Sequence, residues 1–217
     1  CLNQGIKLIR THSVCSDEFI ARFENVEYDL IIAAHFQRLL PPVLFCNAKI
    51  GAMNLHPSLL PKYRGMSPQH WPIILGDDET GVTVHYIDQG VDTGRILRQV
   101  SIPLESDIYI HQLQKKFLTV YKTIMVEAVE LAIRGRAGDE QQVDGGTYFH
   151  KIQDEDMKIT QDMAVERAYG LVRAFSYPYN GARFDQLRIT KAKPVEEVLW
   201  MELNGTDVQS GLQQIGD

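Results

Sequence analysis

The segment Leu30-Ile31-Ile32-Ala33-Ala34 is apolar at five consecutive positions. A strand with one wet face alternates apolar and polar residues, whereas an unbroken apolar run marks a strand covered on both faces, as in a parallel sheet. This segment predicts an α/β architecture in which helices flank a mainly parallel sheet. Its surroundings agree. Residues 6–9 predict a short strand. Ser16 predicts an N-cap for a helix over 16–25, with Asp17 and Glu18 favourably placed in its first turn. Residues 28–34 form the apolar strand, Pro41-Pro42 ends extended pairing ahead of a short helix, and 49–56 is the next strand. Ser67-Pro68 starts a helix that stops near Gly76. Segments 82–87 and 95–102 predict strands around an acidic, Gly-rich turn.

Ser106 is the expected N-cap of a long helix reaching Arg134. There Ile110, Leu113, Phe117, Tyr121, Ile124, Ala128 and Leu131 recur at three- and four-residue spacing, and Gly135 can stop the helix. Gly145-Gly146 marks a boundary, which divides the chain into a catalytic domain over 1–145 and a small C-terminal appendage over 146–217. The appendage predicts a strand at 147–151, a helix at 163–175, a Pro/Gly turn at 177–181 and a hairpin from 183–192 and 195–203. The last dozen residues are polar and expected to be loose.

Composition narrows the function classes. The 217 residues carry a net charge of −6, a poor match to nucleic acid, which needs a basic footprint. No run approaches the roughly 18 apolar residues of a membrane span. Cys1, Cys15 and Cys46 are odd in number and lack metal-ligand spacing, which is read as thiols in a reducing cytoplasm. Neither a His-Glu-x-x-His nor a Cys-x-x-Cys pattern is present, so no metal is expected. The absence of a Gly-Lys-Ser/Thr loop leaves phosphoryl transfer without support.

The chemistry concentrates in two runs. Asn54-Leu55-His56 places an amide and an imidazole two residues apart, on one side of a strand and at its carboxyl end, where α/β sheets build their sites. The turn over 88–94 can bring Asp92 back towards that imidazole. An amide donor for an oxyanion, a base and a carboxylate that orients the base form a set suited to acyl transfer to an amine. Alone, the histidine would be structural and the aspartate turn chemistry; the combination carries the reading. His35, His70, His85 and His111 receive no role.

Asn54-Leu55-His56-Pro57-Ser58-Leu59-Leu60-Pro61, then Tyr63-Arg64-Gly65, Thr80-Gly81-Val82-Thr83 and Val91-Asp92-Thr93-Gly94 closely resemble the formyltransferase family that uses 10-formyltetrahydrofolate. The resemblance covers roughly residues 5–135. It implies a Rossmann-like α/β formyltransferase domain, with Asn54, His56 and Asp92 as the catalytic triad. It also implies that the folate donor lies between two backbone segments. One contains Phe36, Arg38, Leu39 and Leu40; the other contains Ile87, Asp88, Gly90 and Val91. The family opens with a strand, a loop and a helix before the point matching the start of this chain, so about 50–60 further residues are expected upstream.

The resemblance includes methionyl-tRNA, glycinamide ribonucleotide and nucleotide-sugar enzymes. The tail over 151–217 holds 11 acidic and 8 basic side chains, unlike the basic barrel of the tRNA enzymes. Where glycinamide ribonucleotide enzymes have Pro-Gly, this chain has Arg64-Gly65. Ser67-Pro68-Gln69-His70-Trp71 and Val172-Arg173-Ala174-Phe175 before Tyr177-Pro178-Tyr179-Asn180 look like the nucleotide-sugar N-formyltransferases. The implied acceptor is the amine of a nucleotide-linked amino-deoxysugar. Lys62, Tyr63 and Arg64 are expected to line its site, with Lys62, Arg64 or Arg173 on its pyrophosphate and Tyr177 or Tyr179 against its base. Formyltetrahydrofolate hydrolysis and a catalytically silent scaffold are the competing readings. The long helix and the tail hairpin predict a homodimer.

Overall fold

In the computed structural model, residues 5–23, 25–142, 145–195, 198–203 and 212–215 are described. Strand β1 (Tyr28–Ala34) has the expected bounds. It pairs in parallel with β2 (Ala48–His56), which pairs antiparallel with β4 (Glu79–Tyr86); β4 in turn pairs antiparallel with β5 (Ile96–Pro103). The order is β1-β2-β4-β5. The apolar run thus pairs in parallel, as expected, but among the described residues it has a strand on one side only and is incompletely covered, with Ile32 49% exposed. The predicted strand over 6–9 does not form: no described strand offers it a ladder, and Ile6 and Leu8 are exposed. Helix α1 (Asp17–Phe23) begins at Ser16, whose hydroxyl accepts the Phe19 N–H at 3.3 Å. Helix α2 (Pro42–Cys46) begins at the second residue of the Pro pair, whose missing N–H is no loss at a helix start.

Helix α4 (Ile110–Ile133) covers one face of the sheet. Its stripe of Ile110, Leu113, Phe117, Ile124 and Ala128 is buried, in one core with Val82, Val84, Leu97 and Ile102 from β4 and β5. The N-cap lies three residues later than the Ser106 reading, because the Gln112 side chain accepts the Tyr109 N–H at 2.8 Å and closes the first turn there. Gly135, at φ +79°, ends it.

A short strand β3 (Arg64–Gly65) pairs in parallel with β6 (Tyr148–Phe149). Helix α3 (Trp71–Leu75) packs on α5 (Val165–Phe175). The approach is so close that a Cβ at Gly170 would lie 2.9 Å from the Ile73 and Ile74 carbonyl oxygens. The remaining strands β7 (Ala182–Phe184), β8 (Leu187–Val195), β9 (Val198–Leu203) and β10 (Leu212–Ile215) form an antiparallel sheet, so part of the polar end is ordered in a strand. The rest of that end, 206–211 and 216–217, lies outside the described residues. Ile159, Leu171, Phe175, Ala182 and Ile189 join the same core as β4 and α4. The C-terminal segment is thus packed into the first, and this lets it reach the cavity below. No helix among the described residues is long and apolar enough to cross a membrane.

Candidate active site

Asn54 and His56 leave the same face of β2, as their spacing predicts. The next strand supplies a third group, because Asn54 stands directly across from His85 of β4. The β4–β5 register shifts between Val84 and His85, a local irregularity of the kind that re-aims a side chain beside a site. Asp92 arrives from the turn after β4. Its carboxylate lies 3.6 Å from His56 Nδ1, 3.5 Å from His85 Nε2 and 3.4 Å from Asn54 Nδ2. The shortest of its bonds comes from a backbone group, the Gly65 N–H, at 2.8 Å.

Carbonyl contacts fix the ring protons. His56 Nε2 is 2.8 Å from the Tyr63 carbonyl, which can only accept, so Nε2 carries the proton and Nδ1 holds the free lone pair. That lone pair is on the side of Asp92, where a proton it picked up would form an ion pair. His85 Nδ1 donates in the same way to the Tyr86 carbonyl at 2.7 Å. In the neutral ring His85 Nε2 therefore accepts the Asn54 amide N–H at 3.3 Å and orients that amide. The same Nε2 lies 3.5 Å from the Asp92 carboxylate.

Burial holds the His56 pKa below its ordinary 6.5, partly offset by the Asp92 charge and the Tyr63 carbonyl. Burial alone would raise the Asp92 carboxyl. The hydrogen bond with His85, the His56 ring and the Gly65 amide outweigh it and hold Asp92 below the ordinary 3.8. The resting pair is thus a neutral imidazole facing a carboxylate. His35, Tyr63, Ser67 and Asp92 all have left-handed backbone, with φ between +52° and +61°. Non-glycine residues avoid this region, and its concentration here marks a place where the surrounding structure over-determines the backbone.

Asn54, His56, His85 and Asp92 lie at one part of a cavity of about 800 Å³, a usual size for a small-molecule site. Phe36, Arg38, Leu39, Leu40, Ile87, Asp88, Gly90 and Val91 all line it. So does Tyr179, whose hydroxyl accepts N–H groups from Gln69 and Gln114 at 3.0 and 3.1 Å. The C-terminal segment also contributes Lys151, Asp154, Asn180 and Arg188.

The three neighbouring positions expected at the acceptor are placed elsewhere. Lys62 is exposed outside the cavity. Tyr63 is buried, with its hydroxyl on Asp77 at 2.7 Å. Arg64 is 7% exposed and its guanidinium is engaged by Gln141 and Tyr148. Arg173 is also buried: it donates to the carbonyls of Ile108 and Ile73 and covers the Tyr169 ring, so it cannot meet a pyrophosphate. Tyr177 is 75% exposed and is not part of the lining. Sequence reasoning gave His85 no role. The signal that could have found it is cross-strand: it needs the register that sets residue 85 opposite residue 54.

Known proteins resemble this chain over most of its length. The family described as formyl transferase matches residues 5–129. The methionyl-tRNA formyltransferase of Thermodesulfovibrio yellowstonii is 30% identical over 199 residues, 90% of this chain and 64% of that protein, so this chain spans less than two thirds of its length. Among solved structures, a sugar N-formyltransferase from Shewanella sp FDAARGOS_354 superposes with a TM-score of 0.68 at 23% identity, covering 79% of this chain and 70% of the other. An N-formyltransferase from Helicobacter canadensis, solved with folinic acid and dTDP-3-aminofucose, gives 0.65 at 22%, covering 87% and 76%. With more than half of its length matched and its Asn54–His56–Asp92 cluster assembled, the chain belongs to the formyl transferase family.

Proposed function

We propose that this protein moves a formyl group from 10-formyltetrahydrofolate to the amine of a nucleotide-linked amino-deoxysugar. The observation that carries the transfer reading is the convergence of Asn54, His56 and Asp92 in one cavity. The donor fits the segments over 36–40 and 87–91: Leu39 and Val91, 65% and 39% exposed, offer apolar walls to a flat ring, with backbone polar groups between them.

When bound, the folate supplies a formyl group on a nitrogen that can leave as an amine. Attack by the acceptor amine gives a tetrahedral oxyanion, to which the Asn54 N–H now loosely held by Asp92 at 3.4 Å can donate. His56 Nδ1 takes the proton lost by the attacking amine, and Asp92 stabilises the resulting imidazolium. As the bond from the formyl carbon to the folate nitrogen breaks, His56 returns the proton to that nitrogen, so the protein ends as it began. Asn54→Ala removes one oxyanion donor and is expected to lower kcat about a hundredfold, as read by tetrahydrofolate release.

The acceptor reading draws on the cavity wall built by the C-terminal segment. Lys151 and Arg188 offer cations to phosphate oxygens, and Tyr179 and Asn180 stand beside them. The dTDP-3-aminofucose bound by the Helicobacter protein supports the same class. A methionyl-tRNA acceptor is the second reading, favoured by the Thermodesulfovibrio relative. The test is full-length protein with 10-formyltetrahydrofolate and, separately, dTDP-amino-deoxysugars, methionyl-tRNA, glycinamide ribonucleotide or buffer. Tetrahydrofolate release that depends on the nucleotide-sugar is expected. Turnover only with methionyl-tRNA would replace the acceptor, and release that ignores every amine would make the protein a hydrolase.

A further inference from the structure

We infer that Gln141 is a positioning residue for the Asp92 carboxylate, anchored by the buried guanidinium of Arg64. The inference rests on the formyl-transfer reading for its effect on rate, but its geometry does not depend on the substrate. Gln141 follows α4 and comes between two surface-facing neighbours; Glu140 before it pairs with Arg95 at 2.6 Å, away from the cavity. Its amide has two N–H groups and an oxygen with two lone pairs, and all four are used. Nε2 donates to the Asp92 carbonyl at 2.9 Å and the Gly94 carbonyl at 2.7 Å. Oε1 accepts from Arg64 Nε at 3.1 Å and Nη2 at 2.6 Å. Rotating the amide by a half turn would set its N–H groups against a cation and its oxygen against two carbonyls, so the orientation is fixed.

These bonds complete a ring. Arg64 holds Gln141, Gln141 holds both carbonyls around the left-handed Asp92, and the Asp92 carboxylate accepts the N–H of Gly65, which is peptide-bonded to Arg64. Gly65 is itself confined, because a Cβ there would lie 2.5 Å from the Phe149 carbonyl oxygen. Arg64 Nη1 reaches the Tyr148 hydroxyl at 3.3 Å, and its guanidinium lies 5.4 Å from the centre of that ring. Among the described residues no carboxylate pairs with Arg64, so Gln141 Oε1 is its principal acceptor. The groups that face the Asp92 carboxylate are His56 and Asn54 from β2, His85 from β4 and the Gly65 N–H from β3. Nothing in this set fixes the backbone of the Asp92 turn. Asp88 braces the turn through the Gly90 N–H at 3.0 Å and the Thr93 hydroxyl at 2.6 Å, and Gln141 is the side chain that holds the Asp92 carbonyl itself, so without it the carboxylate would stand further from His56.

The test pairs two substitutions. Gln141→Ala removes the whole amide. Gln141→Glu keeps a strong acceptor for Arg64 but loses both donors to the turn, so it separates positioning from the satisfaction of Arg64. Both are expected to lower kcat by about ten- to a hundredfold, with KM for the formyl donor changed far less, as misplacing a catalytic group does. Both should also move the titration of the His56 ring, followed by NMR without any substrate, in the direction that Asp92→Asn moves it. That readout is independent of the acceptor and of the reaction. A shifted His56 titration without formyl transfer in the wild type would overturn the function and leave the positioning role standing. A Gln141→Glu protein with wild-type kcat and an unmoved His56 titration would overturn the inference. So would a Gln141→Ala protein whose only change is a lower melting temperature.

Discussion

His56→Ala is expected to lower the rate of formyl transfer by about a thousandfold, the middle of the range for a positioned acid–base group. The imidazole is 4% exposed and held by one carbonyl, so its removal takes away the proton carrier without disturbing β2. The pH dependence makes the prediction sharper. Burial lowers the His56 pKa from 6.5, and Asp92 pulls it part of the way back. A base must be neutral to act, so in the wild type kcat/KM should fall on the acid side with a midpoint below 6.5. Asp92→Asn removes the charge that favours the imidazolium and leaves the burial. The acid limb should then move to still lower pH while the plateau rate drops. A limb that moves upward in Asp92→Asn, or a His56→Ala enzyme within a few-fold of wild type, would remove His56 from the proton path.

The residues that were legible in the sequence are those whose placement follows from local geometry. Asn54 and His56 share a face because a strand has a period of two; the bounds of β1 follow from an unbroken apolar run and the stripe of α4 from the helical period of 3.6. Ser16 caps α1 because its side chain needs to reach only three residues ahead. What was not legible depends on distant partners. Residues 30–34 read as a strand covered on both faces; among the described residues β1 pairs in parallel with β2 alone, and Ile32 stays 49% exposed. His85 becomes part of the site only through its register against Asn54. Arg64 and Arg173 carry the charge a pyrophosphate would need, but one is spent on Gln141 and the other on two carbonyls inside the α3–α5 packing. Gln141 itself is one polar residue in a polar stretch, and only the folded turn gives its amide four partners.

The last large effect concerns stability in acid, and it falls on His70. This ring is 6% exposed; it stacks on Phe175 with centroids 5.5 Å apart and meets Tyr179 edge-on at 4.8 Å. Its Nδ1 is buried without a hydrogen bond, and burial brings its pKa down to about 4, against which the Ser67 carbonyl acts only weakly. The folded state therefore holds a neutral ring, while the unfolded chain binds a proton near 6.5. The unfolded state binds more protons between these values, so stability is fully present above pH 6.5 and is lost as the pH falls towards 4. The shift corresponds to about 3 kcal/mol, a large part of the stability of an ordinary domain. His56 acts in the same direction because its pKa is also lowered. Asp92, held below 3.8, adds its own loss only at lower pH, so the windows separate. His70→Phe keeps an aromatic ring against Phe175 and removes the titrating group. Urea unfolding of this variant at pH 7 and pH 4.5 should show a much smaller acid loss than the wild type. An equal loss in both proteins would mean that the His70 ring reaches solvent, and a proton, without unfolding. Because His70 also lines the cavity, that same opening would couple acidification to the shape of the cavity.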